Sequence, residues 1–168
     1  QPLPETNWEE SWKDNYPPQE IGEKIVILPY WLAGQEGDRL PVILDPGLTF
    51  GTGAHPTTRM VVQTMEELIR PGFKCLDLGS GSGILSLCAL RLGAASATGI
   101  DIDPKAEDIA RENAAYNGFA SPEFTALTGN VTGNRRIIAL TSNLINLINE
   151  DNTPLSLCYI IVSLLKQS

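Results

Sequence analysis

The segment from Asp77 to Gly83 has the residue types best suited to holding a ligand. It reads DLGSGSG and lies between an apolar stretch of strand length and one of helix length. Glycines let the backbone turn sharply and approach a ligand closely, and the first N–H groups of a following helix face that ligand. Asp101 lies 22 residues after Gly79, at the predicted end of the next strand, where a carboxylate can accept hydrogen bonds from both ribose hydroxyls. Gly79, Gly81 and Asp101 therefore predict a site for a nucleoside-containing cofactor, the alternative being a structural turn and a helix-capping aspartate.

The residue after this glycine turn (residues 79–83) separates two classes of cofactor. A dinucleotide site has a small residue there, so that helix and strand pack closely over the pyrophosphate, whereas this chain has Ile84. Three alternating glycines soon after Asp77 are more typical of S-adenosylmethionine enzymes. We therefore expect S-adenosylmethionine, and an NAD-dependent oxidoreductase is the less favoured alternative.

A second segment, residues 44–58, combines glycines that allow a tightly folded loop with hydroxyl groups that can bind a zwitterionic ligand. Its His55 is the only histidine of the sequence. A lone histidine beside a proline is more typical of a structural turn than of a general base, and no second soft ligand is spaced to hold a metal with it. We predict no metal site. Thr57 and Thr58 can contact the ligand or cap the helix that follows.

Asn143 is the third candidate, because it follows a predicted strand at residues 137–140. Open α/β sheets bind their ligands at the C-terminal ends of parallel strands. An amide carbonyl at that place can orient a nucleophilic amine by accepting one of its protons. The alternative role for Asn143 is to cap the next helix.

Charge and apolar patterning exclude several classes of function. The 168 residues include 12 Lys and Arg against 20 Asp and Glu, a net charge of -8. Direct contact with nucleic acid is not expected, because it depends on clustered basic residues, whereas a basic protein is a suitable partner. The apolar run from Leu155 to Leu165 is shorter than the ~20 residues that cross a bilayer, and the first residues have no signal-peptide pattern. We expect a cytoplasmic protein that does not enter membranes, with buried thiols.

From residue 73 onward, strand-length apolar stretches alternate with stretches of helical spacing. This alternation predicts an α/β fold with a parallel sheet and helices on both faces. Asp103, Pro104 and Gly118 have the residue types of an N-cap, a first helical position and a C-terminal stop. The predicted strands are Cys75–Leu78, Ser96–Ile102, Phe124–Leu127 and Ile137–Leu140, and a further helix is predicted from Thr153 to Lys166.

Several segments resemble the PrmA family of bacterial methyltransferases, which act on ribosomal protein L11. The motif LDPGLTFGTGAHPTT at residues 44–58 is specific to that family. The motifs CLDLGSGSGILSLCALRLGAASATGIDIDPKA at 75–106 and ENAAYNG at 112–118 match it almost position by position. The resemblance is strong over residues 7–118. It implies a Rossmann-like class I S-adenosylmethionine-dependent methyltransferase fold, with strands ordered 3-2-1-4.

The resemblance also implies an activity and a set of site residues. Members of the family transfer methyl groups from S-adenosylmethionine to lysine side-chain and N-terminal amines of a large-subunit ribosomal protein. Carried over residue by residue, their cofactor contacts fall on Thr58, Gly79, Asp101 and Asn143. Asn143 is then also the catalytic residue that orients the amine.

The family pattern divides the chain at residue 40. We expect residues 1–40 to form a linker arm and the strand that leads into the domain, and residues 41–168 to form a partial methyltransferase domain. The family's small substrate-recognition domain would precede residue 1 and its last three strands would follow residue 168. We therefore expect an incomplete sheet with an open edge that can pair with a second chain. A non-catalytic fragment that binds cofactor is the alternative to an active enzyme.

Overall fold

The structure is a computed structural model that describes residue 13 and residues 16–47, 55–129 and 157–160, the last four by their backbone only. Its strands and helices are β1 (Gln19–Ile21), β2 (Ile25–Pro29), a 3-10 helix (Tyr30–Leu32), β3 (Leu40–Leu44), α1 (Pro56–Leu68), β4 (Lys74–Leu78), α2 (Ile84–Arg91), β5 (Ser96–Asp101), α3 (Pro104–Tyr116), β6 (Phe124–Thr128) and β7 (Leu157–Ile160). Within these ranges, no helix has the length and apolar character needed to cross a membrane.

The larger sheet has four parallel strands in the order β6-β5-β4-β7. With β4 counted as the first strand, this is the predicted order 3-2-1-4, and the predicted Rossmann-like α/β fold is confirmed. The register places Asp77 of β4 beside Gly99 of β5, and Leu78 beside Ile100. Because parallel strands end at a common edge, the glycine turn after β4 and Asp101 at the end of β5 lie on the same side of the sheet.

The fourth position of this sheet is filled by a different segment from the predicted one. Residues 157–160 form β7 and pair with residues 74–77 of β4, so the helix predicted from Thr153 to Lys166 is wrong at these four residues, and the rest of it lies outside the described residues. Periodicity alone does not distinguish a short apolar strand from a buried helix, and strands of parallel sheets are apolar on both faces. The predicted strand Ile137–Leu140 lies outside the described residues.

A smaller sheet, in the order β1-β2-β3, fixes the position of α1. β2 pairs antiparallel with β1 and parallel with β3. The Glu66 carboxylate on α1 accepts hydrogen bonds from the backbone N–H groups of residues 23–25, at 2.9, 2.9 and 3.2 Å. Glu66 thereby ties α1, whose first turn contains Thr58, to the hairpin between β1 and β2. The division of the chain after residue 40 falls within β3 and stays a prediction.

The ends of α3 agree with the sequence signals. The Asp103 side chain caps the helix by accepting a hydrogen bond from the Lys105 N–H at 2.9 Å, and Pro104 is the first helical residue. Gly118 follows the helix in the left-handed conformation, with φ of 75°. All three predicted boundary residues are therefore confirmed.

The start of α1 differs from the expectation. His55 is the N-cap, and its side chain accepts a hydrogen bond from the Thr57 N–H. Thr57 and Thr58 are already inside the first helical turn, so neither has the position of the cap. A ring nitrogen two residues before an N–H can replace the usual Ser, Thr, Asp or Asn oxygen, which composition alone did not reveal.

Both sheets and the helices α1, α2 and α3 contribute to one hydrophobic core. Leu87 of α2 and Val42 of β3 are fully buried in it. Cys75 and Cys88 are buried, as predicted. Burial raises the pKa of the Cys88 thiol and so disfavours its thiolate.

Candidate functional site

The glycine turn is built on three left-handed residues. Gly79, Gly81 and Gly83 have φ values of 77°, 50° and 78°, a conformation that L-amino acids with a Cβ adopt only with strain. A Cβ placed on Gly79 or Gly81 would have no heavy atom within 4 Å, whereas one on Gly83 would lie 3.2 Å from the Ala110 Cβ. The first two glycines therefore face open space, and the third is packed against α3.

Asp101 is hydrogen-bonded to the glycine turn. Its Oδ2 accepts from the Gly81 N–H at 2.8 Å, and its Oδ1 accepts from the Asp103 N–H at 3.0 Å. The Gly79 N–H also donates to the Ile100 carbonyl, at 2.7 Å. The structure thus brings together three of the predicted site residues, namely Gly79, Gly81 and Asp101.

The N–H groups of the turn are mostly used inside the protein. Those of Gly79 and Ser80 both donate to the Ile100 carbonyl, that of Gly81 donates to Asp101, and that of Gly83 donates to the Ser80 carbonyl. The N–H groups predicted to face a ligand are those that begin the following helix, α2. Of these, the Ser86 N–H donates to the Asp77 carboxylate instead, and for the others the prediction stays untested. Such a turn offers its Cα surface for close approach, but it lacks the converging N–H groups that hold a phosphate.

Asp77, two residues before the turn, is a candidate site residue that the predicted set omitted. Its side chain is 3% exposed, and Oδ2 accepts hydrogen bonds from the Ser86 N–H and hydroxyl at 3.2 and 2.9 Å. Oδ1 is buried and has no hydrogen-bond partner among the described residues. Burial, with a smaller contribution from the nearby Asp101 charge, raises the pKa of Asp77 to about 6 against the opposing effect of the hydrogen bonds from Ser86. A buried carboxylate oxygen without a partner can bind a proton, a donor or a cation.

The two carboxylates make the surroundings of the glycine turn electronegative. Asp77 and Asp101 lie at the ends of neighbouring strands, and the sequence from residue 75 to residue 90 contains no Lys or Arg. Electrostatics in a partly buried site therefore favour a positively charged ligand and disfavour a pyrophosphate. The position of Asp77 before the glycines was a sequence signal for this property.

Ile102 was also missed by the sequence interpretation. It follows Asp101 directly and is 62% exposed, so it presents an apolar side chain beside the carboxylate expected to bind ribose. A large apolar residue at the end of a buried strand is expected to be buried. The exposure of Ile102, which the structure shows, is therefore what marks it as a candidate contact residue.

The remaining candidates lie apart from this cluster or outside the described residues. Thr58 is partly exposed in the first turn of α1, and no described hydrogen bond joins it to the glycine turn. His55 has its Nδ1 2.6 Å from the Thr57 hydroxyl, which accords with a structural role. Asn143 lies outside the described residues, and its role stays a prediction. In the part of the chain that is described, no three His, Cys, Asp or Glu side chains are grouped as metal ligands.

Comparison with known families decides the relationship of this chain. The profile of the family described as ribosomal protein L11 methyltransferase (PrmA) matches residues 1–151. The chain belongs to this family. It is 47% identical over 116 residues to the ribosomal protein L11 methyltransferase of Symbiobacterium thermophilum, a match that covers 68% of this chain and 38% of the relative. With that of Klebsiella pneumoniae it shares 48% identity over 118 residues, covering 70% of this chain and 40% of the relative.

A solved structure of an L11 methyltransferase supports the same relationship. The ribosomal protein L11 methylase of Lactobacillus delbrueckii subsp. bulgaricus superposes with a TM-score of 0.58 and 32% sequence identity, over 67% of this chain and 56% of that protein. The chain thus matches about two fifths of the length of its curated L11 methyltransferase relatives.

Proposed function

We propose that this chain is the cofactor-binding part of an S-adenosylmethionine-dependent methyltransferase that modifies lysine side-chain and N-terminal amines of ribosomal protein L11. Its proposed site residues are Thr58, Gly79, Gly81, Asp101 and Asn143. The observation that carries the proposal is the glycine turn between two carboxylates, one of which has a buried oxygen with no hydrogen-bond partner in the described part of the chain. Family membership supports the same activity, because the matched relatives are named for it.

The residues around the turn fit the parts of this cofactor. Each carboxylate oxygen of Asp101 accepts one backbone hydrogen bond and has a second lone pair for a ribose hydroxyl. The open faces of Gly79 and Gly81 allow close approach of an uncharged nucleoside. Asp77 Oδ1 would accept a hydrogen bond from the ammonium group of the amino-acid part, which restores a partner to a buried charge. The exposed side chain of Ile102 would pack against the adenine.

Methyl transfer requires mainly that the protein bind and align the two reactants. S-adenosylmethionine supplies, when bound, a methyl group on a positively charged sulfur. Methyl transfer to an amine needs proximity, alignment and a neutral nucleophile, so no strong acid, base or metal is required of the chain. Asn143 would accept a hydrogen bond from the amine and direct its lone pair. The negative potential from Asp77 and Asp101 would favour binding of the cationic form of the cofactor.

The same features disfavour NAD as the cofactor. Ile84 stands at the position where a dinucleotide site needs a small residue, and its side chain is buried. Four N–H groups of the turn are used inside the protein, and the ionised Asp77 carboxylate would repel a pyrophosphate.

Ribosomal protein L11 as the substrate rests on the family and on charge. The net charge of -8 suits a basic protein partner. A ribosomal protein as substrate also agrees with the predicted cytoplasmic location. Contacts with nucleic acid or a membrane form no part of the proposal.

Methyl transfer is tested in a chimera, because the chain matches only part of its relatives. The matching 118-residue segment of the Klebsiella pneumoniae relative is replaced by that of this chain, and transfer of a labelled methyl group to ribosomal protein L11 is measured. We expect label on L11, and its loss when Asp101→Ala is introduced. A chimera that is folded and binds cofactor but leaves L11 unlabelled would favour the non-catalytic alternative.

A further inference from the structure

Two asparagine side chains on one face of α3 are buried. Asn113 is 0% exposed, and Asn117, one helical turn later, is 6% exposed. Burial of an amide group is unfavourable unless its donor and acceptor find partners. Both side chains have partners near the end of β3, but only Asn113 is also bonded to the glycine turn.

Asn117 binds the backbone of β3. Its Oδ1 accepts from the Ile43 N–H at 2.9 Å and its Nδ2 donates to the Ile43 carbonyl at 2.7 Å, as a neighbouring strand would. The same Nδ2 donates to the Asn113 carbonyl at 2.7 Å, and Arg91 donates to the Asn117 carbonyl at 3.0 Å. All of these partner groups lie outside the glycine turn, so Asn117 anchors β3 to α3.

Asn113 joins two segments of the candidate site. Its Oδ1 accepts a hydrogen bond from the Asp45 N–H at 2.9 Å, and its Nδ2 donates to the Ser82 carbonyl at 3.0 Å. Asp45 begins the segment 45–58, and Ser82 belongs to the glycine turn. One planar amide group on a helix therefore sets the separation between the two segments.

A second contact fixes the same helix against the turn. A Cβ on Gly83 would lie 3.2 Å from the Ala110 Cβ, so α3 approaches the turn as closely as a glycine allows. Ala110 and Asn113 are three residues apart and lie on the same face of α3. The turn is thus held at two neighbouring points, by packing at Ala110 and by hydrogen bonding at Asn113.

We propose that Asn113 is a positioning residue that holds the backbone at Asp45, directly after β3, in register with the glycine turn, and thereby sets the cofactor site. This role rests on the proposed function, because it assumes that residues of both segments contact one cofactor. Asn113 itself is buried and acts through Asp45 and Ser82. Cofactor affinity depends on such placement, since residues that support a binding constellation must keep it within a fraction of an ångström.

The test compares two matched alanine variants of the full chain. Asn113→Ala removes both links, whereas Asn117→Ala removes an equally buried amide of the same helix that does not touch the turn. We expect the dissociation constant for S-adenosylhomocysteine to rise about tenfold in Asn113→Ala and less than about twofold in Asn117→Ala. Both variants are expected to lose stability in denaturant unfolding, so that stability loss alone does not distinguish them.

Amide hydrogen exchange gives a second readout that needs no cofactor. In Asn113→Ala, the N–H groups of Asp45, Gly81 and Gly83 should exchange faster than in the unchanged chain. In Asn117→Ala, faster exchange should be confined to Ile43 and its neighbours in β3. If Asn113→Ala does not fold, Asn113→Ser is used, because its hydroxyl is too short to reach both partners.

The outcomes separate this proposal from the proposed function. Equal affinities in the two variants, or unchanged exchange at Gly81 and Gly83 in the Asn113 variant, would overturn the positioning role. If the unchanged chain binds no S-adenosylhomocysteine, the proposed cofactor is wrong, and the exchange measurement alone decides whether Asn113 couples the two segments.

Discussion

The ends of β4 and β5 each place an aspartate beside the glycine turn, but the two carboxylates have opposite surroundings. Asp101 is partly exposed, and each of its oxygens accepts a backbone hydrogen bond. Asp77 is buried and accepts hydrogen bonds from Ser86 through one oxygen, and its other oxygen has no partner among the residues that the structure describes. The comparison assigns the carboxylates different tasks. Asp101 stabilises the turn through its backbone hydrogen bonds, and its remaining lone pairs can accept hydrogen bonds from neutral hydroxyls. The ionised Asp77 carboxylate has a buried oxygen that a cationic group would stabilise.

Removing the carboxylate at the end of β5 is expected to have the largest effect. Asp101→Ala removes two charge-assisted hydrogen bonds to ribose, each worth roughly 1.5 to 3 kcal/mol. The dissociation constant for S-adenosylhomocysteine should then rise at least about a hundredfold, as measured by calorimetric titration. Asp108→Ala removes the same charge from an exposed position of α3 and should leave the affinity unchanged. An unaltered affinity in a folded Asp101 variant would show that Asp101 only accepts its two backbone hydrogen bonds, from Gly81 and Asp103, and does not bind the cofactor.

The carboxylate at the end of β4 should make stability depend on pH. Folding raises the pKa of Asp77 from 3.8 to about 6, so the folded chain binds more protons than the unfolded chain between these values. The free energy of unfolding should therefore fall by about 2 kcal/mol from this group as the pH rises from 4 to 7. Asp77→Asn should lack this component, and denaturant unfolding at several pH values measures the difference. Parallel pH profiles for the two proteins would contradict it.

The same titration should appear in cofactor binding. Because the ionised form of Asp77 would bind the ammonium group, the affinity for S-adenosylhomocysteine should rise as the pH increases through about 6. Asp77→Asn should bind more weakly and without this dependence. A pH dependence that survives in Asp77→Asn would belong to another group.

The turn between the two carboxylates should respond to a single methyl group. Gly79→Ala places a Cβ on a residue with φ of 77°, so the chain should lose about 1 to 2 kcal/mol of stability. Gly118→Ala is the matched control, since it has φ of 75° and equally open surroundings at the end of α3. Both variants should be destabilised, but only Gly79→Ala should also weaken S-adenosylhomocysteine binding. Equal binding by both would place the cofactor away from Gly79.

The smallest expected effect concerns the apolar residue next to Asp101. Ile102→Ala removes part of an exposed apolar surface that would pack on adenine, so affinity should fall about threefold to fivefold, or about 1 kcal/mol. Leu68→Ala, at the exposed C-terminal end of α1, is the control and should not change it. The same titration measures both, and an unchanged affinity in Ile102→Ala would remove Ile102 from the site.

The sequence predicted the part of the site that local signals determine. The glycine turn and the boundaries of α3 depend on residue types within a few positions of one another, and Asp101 was placed beside the turn by the predicted alternation of strands and helices. The structure has these features as predicted. The prediction of the N-cap of α1 failed because a histidine takes the place of the usual capping residue. The helix predicted across residues 157–160 failed because an apolar run has the same composition in a buried strand and in a buried helix.

The missed residues have functions that depend on tertiary contacts. The orphaned oxygen of Asp77 arises from burial under α2, and the two links of Asn113 join residues 68 and 31 positions away. The spacing of residues in the sequence does not predict such contacts. Asn143 and the segment 48–54 lie outside the described residues, so their assignment still rests on resemblance.

Calorimetric titration of the full chain with S-adenosylhomocysteine and, separately, with NAD tests the central claim most directly. The claim is that a glycine turn between two carboxylates, with its N–H groups used inside the protein, accepts a nucleoside cofactor bearing an ammonium group and rejects a pyrophosphate. The account predicts saturable heat at one site per chain with S-adenosylhomocysteine and none with NAD at pH 7. Saturable heat with NAD and none with S-adenosylhomocysteine would contradict it.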